Sequence, residues 1–242
     1  MGLFKYNYHM QDIQVVYQDD SIIAVNKPAG ITTIPSDTVP KDRALNGIAE
    51  KICGQKLFVI HRLDKDTSGV VVFAKNAKSH RSINMQFDQR KIEKKYIGIV
   101  KGRVDFKEKE INIPISKSKA HSKKVALAKT GIEAITRVSL LGGFDDYSLL
   151  GIVPVTGKRH QIRLHLKAIG HPLAIDPLYG RKEPIYVADI TGQKDETHSL
   201  VISRTPLHAG SISFVHPDSG ENISIKADIP EDMSCFLKLL RR

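Results

Sequence analysis

The 242-residue sequence has little cysteine and no long apolar run. Its two cysteines, Cys53 and Cys235, have no metal-ligand spacing around them, which excludes a zinc module or a disulfide scaffold and fits a reducing, cytoplasmic compartment. The longest apolar stretches, such as residues 69–74, have the length of a strand and fall far short of the roughly 20 residues of a membrane span. We therefore expect no membrane association.

Internal repeats and Gly/Ser-rich linkers are also absent. We therefore expect one domain over residues 1–242, with residues 1–12 as an N-terminal extension, and a monomer.

The sequence has an excess of positive charge, because 37 Lys and Arg against 26 Asp and Glu give a formal net charge of +11. This excess favours a polyanionic partner, nucleic acid first, with a merely solvated basic surface as the alternative.

The hydropathy pattern predicts a mixture of helices and strands. Two strands are expected within residues 15–25, a helix at 44–52, and strands at 57–60 and 70–73. A helix at 79–92 and strands at 94–100 and 147–155 follow. Another helix is expected to begin at Thr156 and end at Gly170, and paired strands are expected over 212–225.

The polar segment 61–69 (HRLDKDTSG) lies between two apolar strands. Such a loop is both exposed and rigidly held, which suits an active site. Asp64 is a candidate nucleophile there, because a low dielectric and nearby cations act on its carboxylate. The alternative is an ordinary turn in which Asp64 or Asp66 caps backbone N–H groups, and Asp66 is assigned that capping role.

A second basic cluster comprises Lys158, Arg159 and His160, followed by Arg163 and His165. If the helix begins at Thr156, Arg159 and Arg163 lie four residues apart on one side of it. A helix N-terminus with arginines suits an anion, and an RNA phosphate or Asp64 is the expected one. A solvated helix face is the alternative.

Two further features have open interpretations. The lysine-rich segment between residues 101 and 129, which includes Lys123 and Lys124, either clamps a phosphate backbone or is a solvated loop. Tyr96 shares a strand face with Gly98 and Val100, so its ring either packs in the core, as the spacing favours, or stacks on a base.

Residues 60–75 (IHRLDKDTSGVVVFAK) resemble the signature of the RluA-type family of RNA pseudouridine synthases. Residues 16–31, 95–102, 156–180 and 207–217 are similar to the other blocks of that family, in the same order. The resemblance implies an α+β fold with a mixed, mostly antiparallel sheet, flanked by helices and loops around a central RNA-binding cleft. It also implies isomerisation of uridine in tRNA or rRNA to pseudouridine, with the target base flipped and without metal or cofactor.

The resemblance also implies roles for individual residues. Asp64 matches the catalytic aspartate, and Arg163 matches the arginine that pairs with it. Tyr96 matches the tyrosine that stacks on the target base, and Arg62 resembles the residue that fills the stack after the uridine leaves. Further RNA contacts are expected from His61, Lys158, Arg159, His160, Lys123 and Lys124. The chain departs from the family pattern at Ile175-Asp176, where Gly-Asp is common.

Two alternatives belong to other functional classes. A non-catalytic RNA-binding protein on the same scaffold is disfavoured, because Asp64, Tyr96 and Arg163 are all present. The second is a metal-dependent hydrolase that uses His61, Asp64, His160 and His165. It is disfavoured because the sequence has no chelating pair: His160 and His165 are five residues apart and do not share a helix face. A chelator in the activity assay separates the hydrolase from the synthase.

Overall fold

The computed structural model describes residues 13–117, 125–128, 130–192 and 198–241. The strands, in chain order, are β1 (Gln14–Gln18), β2 (Ile22–Lys27), β3 (Phe58–Val59), β4 (Ser68–Ala74), β5 (Glu93–Lys101), β6 (Glu108–Asn112), β7 (Ile115–Lys117), β8 (Val125–Leu127), β9 (Ile135–Gly143), β10 (Tyr147–Pro154), β11 (Ile185–Tyr186), β12 (Leu200–Ile202), β13 (Leu207–Val215) and β14 (Asn222–Lys226). The helices are α1 (Leu45–Cys53), α2 (Ala77–Asp88), α3 (Gln161–Ala168), α4 (Val187–Thr191) and α5 (Glu231–Leu240). None of these five helices has the length and apolar character needed to cross a bilayer.

The predicted α+β class is confirmed, and the chain divides into two compact units. Unit 1 combines the chain up to Lys94 with Ala209–Asp228, and unit 2 combines Lys95–His208 with the chain from Ile229 onward. The strand pairs described below are all antiparallel. The expectation of one domain over the whole chain stays a prediction.

Unit 1 is built on the apolar strands β2 and β4. They pair from Ile22 opposite Ala74 to Lys27 opposite Gly69, and β1 pairs with the other edge of β2. All seven residues of β4 are buried, as expected for its continuous apolar run. The hairpin of β13 and β14 confirms the paired strands predicted over 212–225. Side chains from these strands and from α2 form one core, which includes Ile22, Val70, Val72, Ile83, Ile212 and Phe214.

Unit 2 contains four neighbouring antiparallel strands in the order β5, β10, β9 and β6. Because side chains alternate along a strand, β5 contributes to two apolar clusters. Val100 packs with Ile162 and Leu166 of α3, whereas Ile99 packs with Phe236 of α5. The helix that carries Arg163 is therefore attached to the sheet through its apolar residues.

Three predicted elements differ in extent. The strand expected at 57–60 is limited to Phe58–Val59, and the helix expected at 79–92 spans Ala77–Asp88. The helix expected to begin at Thr156 begins at Gln161. The reason is the side chain of Gln161, whose Oε1 accepts hydrogen bonds from Thr156 Oγ1 (2.7 Å) and the Lys158 N–H (3.0 Å). These bonds hold residues 156–160 in a turn, so the prediction that Arg159 shares a helix side with Arg163 is wrong.

Candidate active site

Asp64 lies on the loop between β3 and β4 in unit 1, as the sequence predicts. The residue is half-buried, and the Thr67 N–H donates to the Asp64 carbonyl oxygen at 3.1 Å, which closes a tight turn. Arg62, two residues earlier, is exposed. A carboxylate on a fixed and partly exposed loop can act as a nucleophile or a general base toward a bound substrate.

A buried lysine holds this loop. Lys27, at the end of β2, has no exposed surface, and its Nζ donates to three carbonyl oxygens. The acceptors are Pro28 (3.0 Å), Ile31 (2.8 Å) and Lys65 (2.9 Å), the last of which belongs to the loop. Because an ammonium group is costly to bury without partners, these three bonds explain how the charge is tolerated in the core.

The segment that follows Lys27 binds the same loop through further hydrogen bonds to the main chain of the loop. The Gly30 N–H donates to the Lys65 carbonyl at 2.8 Å, and Gly30 has a φ of 90°, a value that favours glycine. Thr33 Oγ1 donates to the Leu63 carbonyl (3.0 Å) and accepts from the Leu63 N–H (3.1 Å). We call this set, Lys27, Gly30 and Thr33, the loop clamp. It fixes the main chain on both sides of Asp64.

His61 lies at the start of the loop with its ring directed into unit 1. Its Nε2 accepts a hydrogen bond from the Val72 N–H at 3.0 Å, and its ring packs against Phe87 at a centroid distance of 5.7 Å. Burial, and then the nearby charge of Lys94, lower the pKa of His61 from 6.5 to about 3. The imidazole is therefore neutral near pH 7 and anchors the loop. Its predicted contact with RNA stays a prediction.

Arg163 lies on α3 in unit 2 and is buried against a carboxylate that the sequence analysis did not identify. Its Nε donates to Asp176 Oδ2 at 2.8 Å and its Nη2 to Asp176 Oδ1 at 2.6 Å. This two-point contact fixes the plane of the guanidinium group. The predicted pairing of Arg163 with Asp64 stays a prediction.

The basic residues before α3 lie on the turn described above. Lys158 and Arg159 are exposed, and His160 forms the N-cap of α3 with a φ of 52°. His160 Nδ1 lies 3.0 Å from the hydroxyl of Tyr179, and the Tyr179 ring packs against Arg163, so His160 is connected to Arg163 through Tyr179. Lys123 and Lys124 lie outside the described residues.

Tyr96 is half-buried on β5, opposite Ile152 of β10, and packs against the apolar cluster of α3. The space beside it is tight, because a Cβ on the neighbouring Gly98 would lie 3.0 Å from Ile152 and 3.1 Å from Leu173. The position combines packing along one side of the ring with partial exposure. Both the core-packing and the base-stacking interpretations are compatible with it.

His165, which the metal-hydrolase alternative requires, is engaged in the core of unit 2. Its Nδ1 lies 3.0 Å from Thr136 Oγ1 and its Nε2 lies 2.9 Å from the Ile113 carbonyl, and burial lowers its pKa. Both ring nitrogens have hydrogen-bond partners, which argues against a ligand role for this residue.

Sequence reasoning missed Lys27 and Asp176, the two buried charges that hold the candidate residues. Each has a local signal, because a charge at the end of a largely apolar segment stands out from its neighbours. Lys27 follows IIAVN, and Asp176 follows the buried residues Leu173, Ala174 and Ile175. Charged residues are almost never fully buried unless they are paired, so each of these positions required a partner elsewhere.

Comparisons with known proteins agree with the sequence resemblance. Residues 21–168, drawn from both units, match the family described as RNA pseudouridylate synthase. An uncharacterized RNA pseudouridine synthase of Bacillus subtilis (strain 168) is 33% identical over 238 residues, which cover 96% of this chain and 74% of that protein. The ribosomal large subunit pseudouridine synthase D of Zymomonas mobilis is 32% identical over 242 residues, covering 95% and 74%.

A third relative and a solved structure extend the comparison. The ribosomal large subunit pseudouridine synthase D of Neisseria meningitidis serogroup B is 36% identical over 235 residues, covering 95% of this chain and 61% of that protein. The structure of human RNA pseudouridylate synthase domain containing 1 superposes with a TM-score of 0.73 at 21% identity. It covers 97% of this chain and 96% of that one, and it shows the shared fold.

Proposed function

This chain belongs to the RNA pseudouridylate synthase family, and from that premise we propose that it isomerises uridine residues of RNA to pseudouridine. The reaction breaks the N1–C1′ glycosidic bond, turns the base and forms a C5–C1′ bond. The proton on C5 is lost and N1 gains one, so the composition of the nucleotide is unchanged. The observation that carries the proposal is the match of residues 21–168, together with the clamped loop that presents Asp64.

Asp64 is proposed as the catalytic carboxylate. The clamp fixes its backbone, so the residue has little conformational freedom to lose when substrate arrives. Whether the carboxylate attacks the sugar, attacks the base or assists a glycal intermediate is left open by the proposal. Arg163 is proposed to pair with this aspartate and orient it during the reaction.

The remaining residues are proposed to bind RNA. A base inside a helix cannot present its glycosidic bond, so the nucleotide must leave the stack. Tyr96 is proposed to stack on the flipped base, and Arg62 to occupy the vacated position. The exposed Lys158 and Arg159, with His160, His61, Lys123 and Lys124, are proposed to contact the RNA, mostly at its phosphates.

Ribosomal RNA of the large subunit is the target we propose first, because two of the relatives described above are named for that substrate. Transfer RNA is the second candidate. The chain is proposed to act in the cytoplasm as a monomer without metal or cofactor. An assay in EDTA tests the metal component directly, and loss of pseudouridine formation on chelation would contradict the proposal that the reaction needs no metal.

The test uses RNA from cells that lack this gene. Incubation with the purified chain, followed by chemical mapping of pseudouridine, is expected to give a new modified position in large-subunit rRNA. A new position in tRNA alone would correct the target and keep the reaction. No new pseudouridine in any RNA fraction would overturn the proposed activity and favour the non-catalytic alternative.

The Asp64→Asn variant tests the assigned carboxylate. We expect pseudouridine formation to fall at least about 1,000-fold, since the amide can serve neither as a nucleophile nor as a base. RNA affinity, measured by filter binding, is expected to stay within about threefold, because most of the affinity comes from phosphate contacts. Asp66→Asn, two residues further along the same loop, is the matched control and is expected to stay active. Full activity of Asp64→Asn would remove the assignment.

A further inference from the structure

The Asp176 carboxylate is held by nearby backbone N–H groups as well as by Arg163. Its Oδ1 accepts the backbone N–H groups of Leu178 (3.0 Å) and Tyr179 (3.1 Å), and its backbone N–H donates to the Arg181 carbonyl at 2.8 Å. The carboxylate is 1% exposed and the Arg163 side chain 9% exposed. The ion pair therefore lies in a water-poor environment and has one defined geometry.

Tyr179 supports the same guanidinium group from another direction. The Cζ of Arg163 lies 5.3 Å from the centroid of the Tyr179 ring. Tyr179 is held at both ends. Its backbone N–H donates to Asp176 Oδ1, and its hydroxyl accepts the Val125 N–H at 3.0 Å and lies 3.0 Å from His160 Nδ1. Burial raises the pKa of Tyr179, so the hydroxyl stays protonated near neutral pH.

We propose that Asp176 and Tyr179 are positioning residues that hold Arg163 in the one orientation in which it serves the reaction, an inference that rests on the proposed function. The physical argument is that a buried ion pair contributes little net stability but specifies geometry. A carboxylate that fixes the guanidinium plane and a ring that packs against the guanidinium together remove the rotamers an arginine otherwise samples. A small misplacement of such a group costs catalysis more than binding.

The experiment compares Asp176→Asn and Tyr179→Phe with the parent chain. The substrate is a short synthetic RNA that contains the uridine identified by the mapping experiment. Asp176→Asn keeps an oxygen for the two backbone N–H groups but loses the charge, and we expect kcat to fall about 100-fold with KM within about threefold. Tyr179→Phe keeps the ring and loses the hydroxyl anchors, and we expect kcat to fall about fivefold.

Unit 2 offers a matched control in a second bidentate pair. Arg204 Nε lies 2.6 Å from Asp232 Oδ2 and its Nη2 lies 2.7 Å from Asp232 Oδ1. Asp232 has no role in the proposed site, so Asp232→Asn is expected to leave kcat within about twofold of the parent. Equal losses of kcat in Asp176→Asn and Asp232→Asn would show a general effect of breaking an ion pair and would overturn the inference.

The remaining outcomes are separable. An active parent whose Asp176→Asn and Tyr179→Phe variants keep kcat within twofold overturns the positioning roles and leaves the proposed function intact. An inactive parent overturns the proposed function itself. A rise in KM with kcat unchanged also contradicts positioning, because it indicates RNA binding. If thermal unfolding shows that Asp176→Asn does not fold, Tyr179→Phe decides the matter by the same kcat criterion.

Discussion

The two regions that carry the candidate catalytic residues hold them by different means. In unit 1 the loop clamp grips main-chain atoms, since Lys27, Gly30 and Thr33 bind the backbone of residues 63 and 65. In unit 2 a carboxylate and an aromatic ring hold the Arg163 side chain itself. A main-chain grip fixes a loop whatever side chains the loop bears, whereas a side-chain grip depends on the identity of both partners.

The strongest test of the main-chain grip replaces its lysine. Lys27→Met fills similar volume but leaves carbonyl oxygens in the core without their donor, and we expect the free energy of unfolding to fall by about 3 kcal/mol. Urea unfolding at pH 7 measures this change. Lys65→Met is the matched control, because the clamp uses the carbonyl of Lys65 while its side chain is exposed. That variant is expected to change stability by less than about 0.5 kcal/mol. Equal effects of the two substitutions would contradict the main-chain account.

A smaller effect is expected at the other side of the clamp. Thr33→Val is close to isosteric and removes the hydroxyl that both donates to and accepts from Leu63. We expect a loss of about 1.5 kcal/mol in the free energy of unfolding, because a buried N–H and C=O lose their partner. Thr38→Val, on an exposed threonine of the same segment, is the control. If the two variants unfold at the same urea concentration, Thr33 is not part of the clamp.

The effect that is smallest over a single pH unit is a pH dependence that belongs to unit 1. Because the pKa of His61 is about 3 in the folded chain and its ordinary value is 6.5, the unfolded chain binds the proton first as pH falls. The neutral imidazole therefore stabilises the fold fully above about pH 6.5, and this contribution is lost progressively toward pH 3.

The slope is bounded by one proton. His61→Gln keeps an acceptor for the Val72 N–H and removes the titration. Below pH 6.5 we expect the parent to lose about 1 kcal/mol more stability per pH unit than this variant. Urea unfolding at a series of pH values gives both curves. Parallel curves would show that the His61 ring is protonated as easily in the folded chain as in the unfolded one.

The same contrast explains what could be predicted from the sequence. The strands β2 and β4, the helix α1 and the loop that presents Asp64 follow from local pattern, because apolar runs and a polar interruption are properties of neighbouring residues. Periodicity alone places the start of α3 too early, because it does not register the hydrogen bond from Thr156 Oγ1 to Gln161 Oε1, which competes with helix formation.

The partners of the buried charges could not be predicted in the same way. The bond from Lys27 to Lys65 spans 38 positions, and the pair of Arg163 with Asp176 spans 13. Local pattern shows that such a charge needs a partner but does not identify the partner. Asp176 lies in a sequence block that is similar to the family's, at the one place where the chain reads Ile175-Asp176 instead of Gly-Asp, and only the fold shows its contact with Arg163.

The loop clamp has a consequence for attempts to engineer this chemistry. A designer who grafts residues 61–67 alone onto another scaffold would transplant Asp64 without the amine and hydroxyl that keep its backbone in place. The smallest portable module also includes residues 27–33, so any host architecture must offer a cavity that accepts a sequestered ammonium group.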